Sequence, residues 1–310
     1  MAYPWLLLTN MLILVGWLIL RKKYFLLPLG CILMGWSHFT GFVGIHVGDT
    51  SSDEGIEVMT FNLRSLSYVW EGNKGRDKKR EEDVIRFLKK NRPDILCLQE
   101  INRYSFELIV KTLGYANIHR LKNRRTAILT DFPMGKTGKV EFGTQTNSCL
   151  WADIKIEGQE WRFYSVHLQS NRVSSQAGKV LNEGNIQERE TWQTIGGMIS
   201  NVKEAGKRRA RQALQVARHV ATSRKPVVVC GDLNDTPQSY TYRTISKHLQ
   251  DAFRKGGSGL GTTYAGDIPA LRIDYILADE RLDILDCDVM EVPYSDHYPV
   301  LSRIELKNGK

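Results

Sequence analysis

The chain has 310 residues, of which 42% are hydrophobic and 25% are charged. These values are ordinary for a globular protein and exclude a disordered or low-complexity chain. Residues 50–310 carry 40 of the 43 lysines and arginines and 33 of the 34 acidic residues, which gives this part a net charge of +7. Such a basic excess is compatible with a polyanionic or phosphate-bearing partner. The five cysteines form no CxxC pair and no Cys/His spacing typical of zinc.

Two long apolar stretches occupy the N-terminal part of the chain. The first runs from Trp5 to Leu20 and the second from Tyr24 to about Val47, with the basic residues 21–23 between them. A membrane-spanning helix needs roughly 20 apolar residues, with about 17 as the lower limit. The pattern therefore predicts a transmembrane helical hairpin over residues 1–47. A cleaved signal peptide is the alternative for the first stretch, and a buried helix pair of a soluble protein is a weaker one.

The three positive charges between the stretches indicate that this short connection stays in the cytoplasm. Both ends of the hairpin, and everything that follows, would then lie on the periplasmic or extracellular side. The polar residues 48–55 predict a linker. Residues 56–310 show no internal repeat or obvious split, so they are predicted to form one soluble domain.

Strand and helix patterns alternate along this domain. Short apolar or β-branched runs indicate strands, and the helices show a longer amphipathic period. The predicted strands are Ile56–Leu63, Asp94–Gln99, Ala116–His119, Thr126–Thr130, Gly138–Phe142, Ser148–Ile156, Glu160–Leu168, Val227–Cys230, Leu271–Leu277, Leu285–Val292 and Tyr298–Leu306. The predicted helical segments are Lys79–Asn91, Arg103–Leu113 with Gly114 as its C-cap, the polar insertion Ser174–Ser223, and Gln238–His248, followed by a Gly-rich loop at Gly256–Gly261. This order predicts a four-layer α/β sandwich, in which two packed mixed β-sheets are flanked by helices.

Polar residues stand where the buried run Val227–Cys230 ends. Gly231 lets the chain leave the strand tightly and puts Asp232 and Asn234 at its mouth. In extended geometry these two side chains would point the same way, because they are two residues apart. A carboxylate and a carboxamide aimed together suit a site for a cation and a phosphate. A strand followed by an ordinary Asp/Asn turn is the alternative, and it is commoner when such a segment stands alone.

Further polar residues mark strand ends elsewhere, namely Asn62, Glu100, His167, Asp296 and His297. Each has a plain structural explanation on its own, such as a turn former, an exposed strand end or a hydrogen-bonded core imidazole. Asp274 is different, because it interrupts the apolar run Leu271–Leu277. An unpaired buried carboxylate is costly, so this residue needs a partner.

Six short motifs follow one another along the chain. They are Thr60-Phe61-Asn62-Leu63, Leu98-Gln99-Glu100, Val166-His167-Leu168, Gly231-Asp232-Leu233-Asn234, Arg272-Ile273-Asp274-Tyr275 and Ser295-Asp296-His297-Tyr298-Pro299-Val300. Together they resemble the motif set of the endonuclease/exonuclease/phosphatase superfamily, which includes pancreatic deoxyribonuclease, abasic-site endonucleases, neutral sphingomyelinases and inositol-polyphosphate phosphatases. The resemblance covers residues 56–306 and, with the apolar N-terminus, indicates a membrane-anchored, bacterial-type member.

This resemblance implies a bound Mg²⁺ ion, with Mn²⁺ as the alternative. Mg²⁺ typically takes one or two carboxylates and keeps water and substrate phosphate as its other ligands. Glu100 is the first choice of ligand, and the family pattern implies that Asn62 and Asp296 complete or orient the shell. Asp232 and Asn234 would orient the attacking water or hold a second ion.

His297 is the candidate general base or phosphate-polarising group, because the pKa of imidazole lies near neutrality. Asp274 would orient it, as in a catalytic triad. His167 would stabilise phosphate charge or protonate the leaving group. The superfamily assigns the base either to the aspartate like Asp232 or to the histidine like His297, and the sequence leaves both open. Abasic-site endonucleases carry a tyrosine at the position of His167, which argues against a role in DNA repair.

The predicted activity is metal-dependent hydrolysis of phosphodiester bonds, for which two substrates compete. A basic domain favours nucleic acid, because phosphate contacts favour basic surfaces. A membrane tether favours a phospholipid, in the manner of a sphingomyelinase, and a phosphatase activity is a further alternative. A non-catalytic binding module of the same fold is the hypothesis from another class. The sequence implies no protein partner.

Overall fold

The computed structural model describes residues 3–35, 41–46, 55–70, 75–144, 147–171, 189–266 and 271–307. Its helices are α1 (Tyr3–Ile19), α2 (Leu26–Met34), α3 (Lys78–Lys90), α4 (Arg103–Leu113), α5 (Arg189–Ala221), α6 (Tyr240–Ile245) and α7 (Ala252–Gly256). Short 3₁₀ segments cover Lys23–Phe25, Arg64–Val69 and Ser246–His248.

The described strands form two large sheets and one small ribbon. They are β1 (Val43–Ile45), β2 (Ile56–Asn62), β3 (Ile95–Gln99), β4 (Asn117–His119), β5 (Ala127–Thr130), β6 (Met134–Val140), β7 (Ser148–Ile156), β8 (Gln159–His167), β9 (Val227–Asp232), β10 (Leu249–Asp251), β11 (Ser258–Leu260), β12 (Asp274–Asp279), β13 (Leu282–Val289) and β14 (Val300–Leu306). The first sheet has the order β13-β14-β2-β3-β5-β4, and the second has the order β10-β12-β9-β8-β7-β6. β2 and β3 are parallel, as are β8 and β9, while the other neighbours are antiparallel.

The two sheets pack face to face through a shared apolar core. Val58 and Ile95 of the first sheet belong to the same buried cluster as Phe163, Val228 and Ile276 of the second. Alternate residues on a strand point to opposite faces, so the neighbouring side chains form the outer faces of the sheets. Those outer faces are covered by helices, α3 and α4 on the first sheet and α5 and α6 on the second. The predicted four-layer α/β sandwich of two mixed sheets is confirmed.

Helix boundaries follow local capping chemistry. The side chain of Asp77 accepts hydrogen bonds from two backbone amides in the first turn of α3. α4 begins with a capping box, in which Asn102 and Ser105 each accept from the other's backbone amide. It ends at Gly114, whose φ of 62° is the left-handed conformation that favours glycine. The predicted helix Arg103–Leu113 and its C-cap are therefore confirmed.

The segment predicted as a Gly-rich loop, 256–261, contains strand β11. This strand pairs antiparallel with β1, and the amide of Gly261 donates to the carbonyl of Phe42 at 2.9 Å. A Cβ atom added to Gly44 would lie 2.2 Å from the carbonyl oxygen of Gly257. Gly44 therefore allows the two backbones to approach closely. Gly256, one of the glycines that suggested a loop, does the same elsewhere, because a Cβ atom there would lie 2.7 Å from the Cα of Asp286.

The N-terminal helices differ from the predicted hairpin. Within the described residues, no helix combines the length and the apolar character that crossing a membrane requires. α1 has 17 residues and α2 has 9. The apolar residues Val43–Ile45, which the prediction counted toward the second span, form β1 instead. The predicted transmembrane hairpin over 1–47 and the membrane-anchored location are wrong, because hydropathy measures the length of apolar sequence and not the length of helix. The predicted linker 48–55, except Gly55, lies outside the described residues.

A buried polar network joins the N-terminal segment to the domain. Arg272, only 1% exposed, forms an ion pair with Asp251 and donates a hydrogen bond to the carbonyl of Gly41 at 2.7 Å. The hydroxyl of Tyr242 donates to the same carboxylate at 2.6 Å. Breaking a buried ion pair by removing one partner costs about 3–5 kcal/mol. The network therefore holds the segment around β1 in place, and removing either charged partner alone would destabilise the protein.

A second cluster of charged side chains is centred on β7 and β8, and it allows a test of protein stability. Asp153 on β7 has a fully buried carboxylate that accepts from Arg162 at 2.7 and 3.0 Å and also pairs with Lys225. Burial opposes ionisation, but hydrogen bonds from the two cations hold the pKa of Asp153 below its usual range. Its stabilising contribution is therefore complete above the unfolded-state pKa, about 3.9, and is lost as pH falls through the lower folded-state value.

We expect Asp153→Asn to lower the free energy of unfolding by about 3–5 kcal/mol at pH 7. The difference from wild type should shrink as pH falls below about 4, because the unfolded chain then binds a proton at Asp153 and, at still lower pH, the folded chain does so as well. Urea unfolding at pH 7, 5, 4 and 3 measures both effects. Asp283→Asn is the matched control, since this half-exposed carboxylate pairs only loosely with Lys307 at 3.5 Å. A constant difference across all four pH values would contradict the electrostatic account.

Candidate active site

The polar residues that end the strands meet at one edge of the sandwich. Asn62 and Glu100 lie at the carboxyl ends of the parallel strands β2 and β3. His167 and Asp232 are register partners on β8 and β9, and Asp274 on β12 is the partner of Asp232 on its other side. Parallel strands end at the same sheet edge, so the topology brings together residues that are up to 212 positions apart in the sequence.

A tight turn after β9 shapes one side of the site. Gly231 has a φ of 142°, and a Cβ atom there would lie 2.0 Å from the carbonyl oxygen of Val166. Asn234 adopts a φ of 53°, so its backbone amide donates to Asp232 Oδ1 at 2.7 Å and its side chain donates to Oδ2 at 2.9 Å. The expected extended geometry is wrong here: the chain turns back, and the carboxamide of Asn234 holds the carboxylate instead of pointing beside it.

Asn62 connects the two sheets. Its Nδ2 donates to Asp232 Oδ2 at 3.0 Å and lies 3.5 Å from Glu100 Oε1. Its Oδ1 accepts from the backbone amide of Arg64 at 3.0 Å, which fixes the orientation of the carboxamide. Asn62 is fully buried, so these contacts satisfy a polar group that would otherwise be costly.

His297 and Asp274 form a buried pair. Their Nδ1 and Oδ2 atoms are 2.9 Å apart, and the residues are 6% and 2% exposed. His297 Nε2 faces Asp232, with 3.9 Å between Nε2 and Oδ2. The backbone amide of Asp274 donates to the hydroxyl of Thr263 at 3.0 Å, and the ring of Tyr264 packs edge-on against the imidazole. The carboxylate inside the apolar run thus has the partner that its burial requires.

Burial and neighbouring charges shift the pKa values of the ionisable residues in the site. Burial alone would lower the pKa of His297, but the carboxylates of Asp274 and Asp232 outweigh it and raise the pKa to about 10. Burial is the main cause that raises the pKa of Asp232 to about 6, against the positive charge of His297. Burial also opposes ionisation of Glu100, but the close imidazole of His167 and the positive charge of Arg125 outweigh it and lower the pKa to about 2.

His167 lies between two carboxylates from different sheets. Its Nε2 atom is 3.4 Å from Glu100 Oε1 and 3.8 Å from Asp232 Oδ2. Both ring nitrogens are buried and lack a hydrogen-bond partner at proper distance and angle within the described part of the chain. An imidazole placed this way is available to an anionic or oxygen-bearing ligand that enters the cleft.

Two arginines accompany the more accessible carboxylates. Asp296, 18% exposed, pairs with Arg64 at 3.0 Å, and Glu100, 24% exposed, lies 3.7 Å from Arg125. The hydroxyl of Ser295, one residue before Asp296, donates to the carbonyl of Asn62 at 2.8 Å, so the segment before β14 is attached to the end of β2.

The donor set fits a hard divalent cation. Four carboxylates, those of Glu100, Asp232, Asp274 and Asp296, belong to this one site, and oxygen ligands are what Mg²⁺ and Mn²⁺ prefer. In the part of the chain that the structure describes, ligand atoms of Asp232, Asp274 and His297 lie within 4.8 Å of one another. Asp274 Oδ1 is buried and has no hydrogen-bond partner among those residues. All eight residues predicted from the sequence lie at this edge.

One residue of the site was missed by the sequence analysis. Arg209 belongs to the basic run Lys207-Arg208-Arg209 of α5, a pattern typical of a solvated helix face, yet it is only 3% exposed. Its guanidinium pairs with Asp235 at 3.2 Å and donates to the carbonyl of Gln169 at 2.9 Å and to Asn171 at 2.6 Å. It therefore ties together the loops that follow β8 and β9. The amphipathic period of the helix carries the signal, since Ala205, Gln212 and Val216 lie on the same buried face.

Comparison with protein families agrees with this geometry. The model of the family described as "Endonuclease/Exonuclease/phosphatase family" matches residues 59–297. The chain therefore belongs to the endonuclease/exonuclease/phosphatase family. Residues 1–42 match the model of a domain of unknown function. Comparison with curated proteins gave no match.

Solved structures share the fold at low sequence identity. An endonuclease/exonuclease/phosphatase from Bacteroides vulgatus has a TM-score of 0.62 and 18% identity, over 82% of this chain and 100% of that one. A mannosyl-6-phosphatase from Bacteroides thetaiotaomicron has a TM-score of 0.60 and 14% identity, over 81% and 100%. The human Nocturnin catalytic domain with bound sulfate has a TM-score of 0.58 and 16% identity, over 82% and 95%.

The close approach of β9 to β8 at Gly231 gives a direct test of the site's framework. We expect Gly231→Ala to lower the free energy of unfolding by about 3 kcal/mol or more, because overpacking adds to a strained backbone conformation. Gly196→Ala is the control, since no atom lies within 4 Å of a Cβ at that helical position. Urea unfolding should show it unchanged or slightly stabilised. Equal stabilities of the two variants would contradict the predicted clash.

Proposed function

We propose that this protein is a divalent-metal-dependent hydrolase that cleaves phosphodiesters. Its family consists of hydrolases that act on phosphoester bonds. The observation that carries the proposal of phosphodiester cleavage is the buried Asp274–His297 pair at 2.9 Å, in which Nε2 of His297 faces Asp232. Such a pair is costly to bury. Its position beside the carboxylate of Glu100 and the unpaired imidazole of His167 supports a catalytic role.

The accessible carboxylates of Glu100 and Asp296 are the proposed metal ligands. Asn62 directs its Nδ2 toward Glu100 and Asp232, so we assign it the orienting role and not that of a ligand. A bound Mg²⁺ or Mn²⁺ ion would supply Lewis-acid stabilisation of charge on the phosphoryl or leaving oxygen. Arg64 and Arg125 lie beside the two ligands and add positive charge for the non-bridging oxygens of a phosphate.

We assign to Asp232 the role of activating the attacking water. Both of its oxygens are held by Asn62 and Asn234, so the carboxylate has a fixed position from which to orient the water and accept its proton. His297 is flanked by Asp232 and Asp274, and two negative neighbours favour its protonated form. In that form Nε2 donates to a phosphoryl oxygen.

His167 is proposed to stabilise the phosphate or the leaving oxygen. Its unpaired ring nitrogens, between Glu100 and Asp232, place a donor at the centre of the cleft. A leaving alkoxide needs such a donor, because negative charge develops on it as the ester bond breaks.

Nucleic acid is the favoured substrate class. The basic excess of residues 50–310 and the arginines beside the carboxylates support a polyanion. The argument for a phospholipid depended on the predicted membrane tether, which the helix lengths contradict. One protein of similar fold is described as a mannosyl-6-phosphatase, so phosphomonoesters belong in the substrate screen.

Hydrolysis of bis-p-nitrophenyl phosphate by the full chain tests the proposal. We expect turnover with Mg²⁺ or Mn²⁺ and none with EDTA. His297→Gln and Asp232→Asn should each lower kcat by roughly 10²–10⁴-fold, because each removes a group that acts on a proton or on developing charge. The exposed-histidine variant His248→Gln is the matched control and should keep full activity.

The competing hypothesis is a binding module that kept the fold without the reaction. Absence of turnover on diesters and monoesters in either metal would favour it. Unchanged kcat in both His297→Gln and Asp232→Asn would also contradict the assigned mechanism, because neither group would then touch the reacting atoms.

Arg209 should act on catalysis through position. We expect Arg209→Met to lower kcat by roughly tenfold to a hundredfold, since a displacement of the β9 loop moves Asp232. Arg209→Lys should recover part of this loss. If the ion pair to Asp235 carries the effect, then Asp235→Asn will add little to Arg209→Met in a double-mutant cycle. Additive losses, or a loss explained by a fall in Tm alone, would contradict a positioning role.

A further inference from the structure

A cationic cavity lies outside the group of residues assigned above. It has a volume of about 600 Å³ and is lined in part by Arg103, Phe106, Glu107, Arg120, Lys122 and Asn123. Helix α4 forms one wall, and the chain that leaves β4 forms the other. We refer to it as the Arg120 pocket.

The topology places this pocket at the same sheet edge as the candidate active site. β3 and β4 both pair antiparallel with β5, so they run parallel to each other. Glu100 follows β3, and Arg120 follows β4. Ile128 of β5 pairs with Cys97 on one side and with His119 on the other, so Arg120 is level with Leu98, two residues before Glu100. Two strand spacings and two residues of extended chain place the backbones of Arg120 and Glu100 about 12 Å apart.

The half-buried guanidinium of Arg120 has the carboxylate of Glu107 nearby but leaves one of its donors without an acceptor. Its Cζ lies 4.1 Å from the centroid of the Phe106 ring. Its Nε is buried and has no hydrogen-bond partner among the described residues. Burial lowers the pKa of Arg120, which reflects the unfavourable environment of the charge. A planar guanidinium held on an aromatic ring, with an unsatisfied Nε donor, is preorganised for an oxyanion.

The charge of the pocket also favours an anion. Three cations line it against one carboxylate, and Glu107 already pairs with Arg103 at 2.8 Å. The exposed side chain of Lys122 stands on the next turn, where the amide of Arg124 donates to the carbonyl of Leu121 at 3.0 Å. This turn leads directly to Arg125, whose Nη2 lies 3.7 Å from Glu100 Oε2. Positive charge thus continues from the pocket to the site.

We propose that the Arg120 pocket binds a second phosphate of the substrate, at the same end of the sheet as the phosphate that is cleaved. The inference rests on the proposed function and narrows it to substrates that carry two or more phosphate groups. A single-stranded oligonucleotide meets this condition, and so does a compact inositol polyphosphate.

The test measures binding separately from turnover. Full-length chain with Asp232→Asn, which should bind without cleaving, is titrated with fluorescein-labelled oligothymidylate and, in competition, with inositol hexakisphosphate. We expect Arg120→Met with Lys122→Met to raise Kd about tenfold for one of these ligands. For the oligonucleotide, the slope of log Kd against log salt should fall by about 0.7 for each lost contact. The affected ligand identifies the source of the second phosphate.

Lys89→Met with Lys90→Met is the matched control. It removes the same two charges at the end of α3, next to the opposite end of β3, and should change Kd less than twofold. Lys122→Met alone, at an exposed position, keeps the test valid if the Arg120 variant is unstable. Hydrolysis of bis-p-nitrophenyl phosphate, which has one phosphate, should be the same in all pocket variants with an intact Asp232.

The outcomes separate the two proposals. If the pocket variant and the control bind both ligands equally, the second-phosphate site is wrong even when the wild type hydrolyses the small diester. If the wild type hydrolyses no phosphoester, the proposed function fails, whereas a selective rise in Kd still supports the pocket.

Discussion

The hydrogen bond from Asn62 to Asp232 joins the two sheets at the edge where the polar side chains converge. Neither sheet carries a complete set of groups, because Glu100 belongs to the first and His167 to the second. The spacing of the site is therefore the spacing of the sheets, about 10 Å between their backbones. The apolar side chains between the sheets set the distance across which these groups interact, so core packing and site geometry cannot be varied independently.

This edge combines buried carboxylates with imidazoles in a way that a purely structural core would avoid. Asp232 and Asp274 are almost fully buried, and His297 lies against both. Hydrophobic residues of similar volume would often be equally stabilising in such a position. The strands on which these side chains stand hold them in fixed relative positions.

Much of this arrangement could be predicted from the sequence, because the side chains of a strand alternate between its two faces and the apolar run of a strand ends abruptly. A polar residue after an apolar run, as at Asn62 or Glu100, lies at a sheet edge once the run is a strand. Periodicity cannot show how loops fold back, so the turn of Asn234 onto Asp232 was missed. The amphipathic period of α5 does place Arg209 on the buried face, but the run of basic residues around it concealed this position. The length of the apolar sequence led to a wrong prediction at the N-terminus, because helix α2 and strand β1 are both apolar but do not form one helix.

The attachment of residues 41–46 has a practical meaning for where the domain can be cut. β1 covers the edge of β11, and Gly41 accepts from the buried guanidinium of Arg272. A chain that starts after residue 46 would leave that donor without its acceptor. It would also leave β11, which carries the 70% exposed Leu260, without the strand with which it pairs. Open strand edges recruit other chains. The boundary of the folded unit therefore lies upstream of the polar segment that looks like a linker, and fragments chosen by that segment would tend to self-associate.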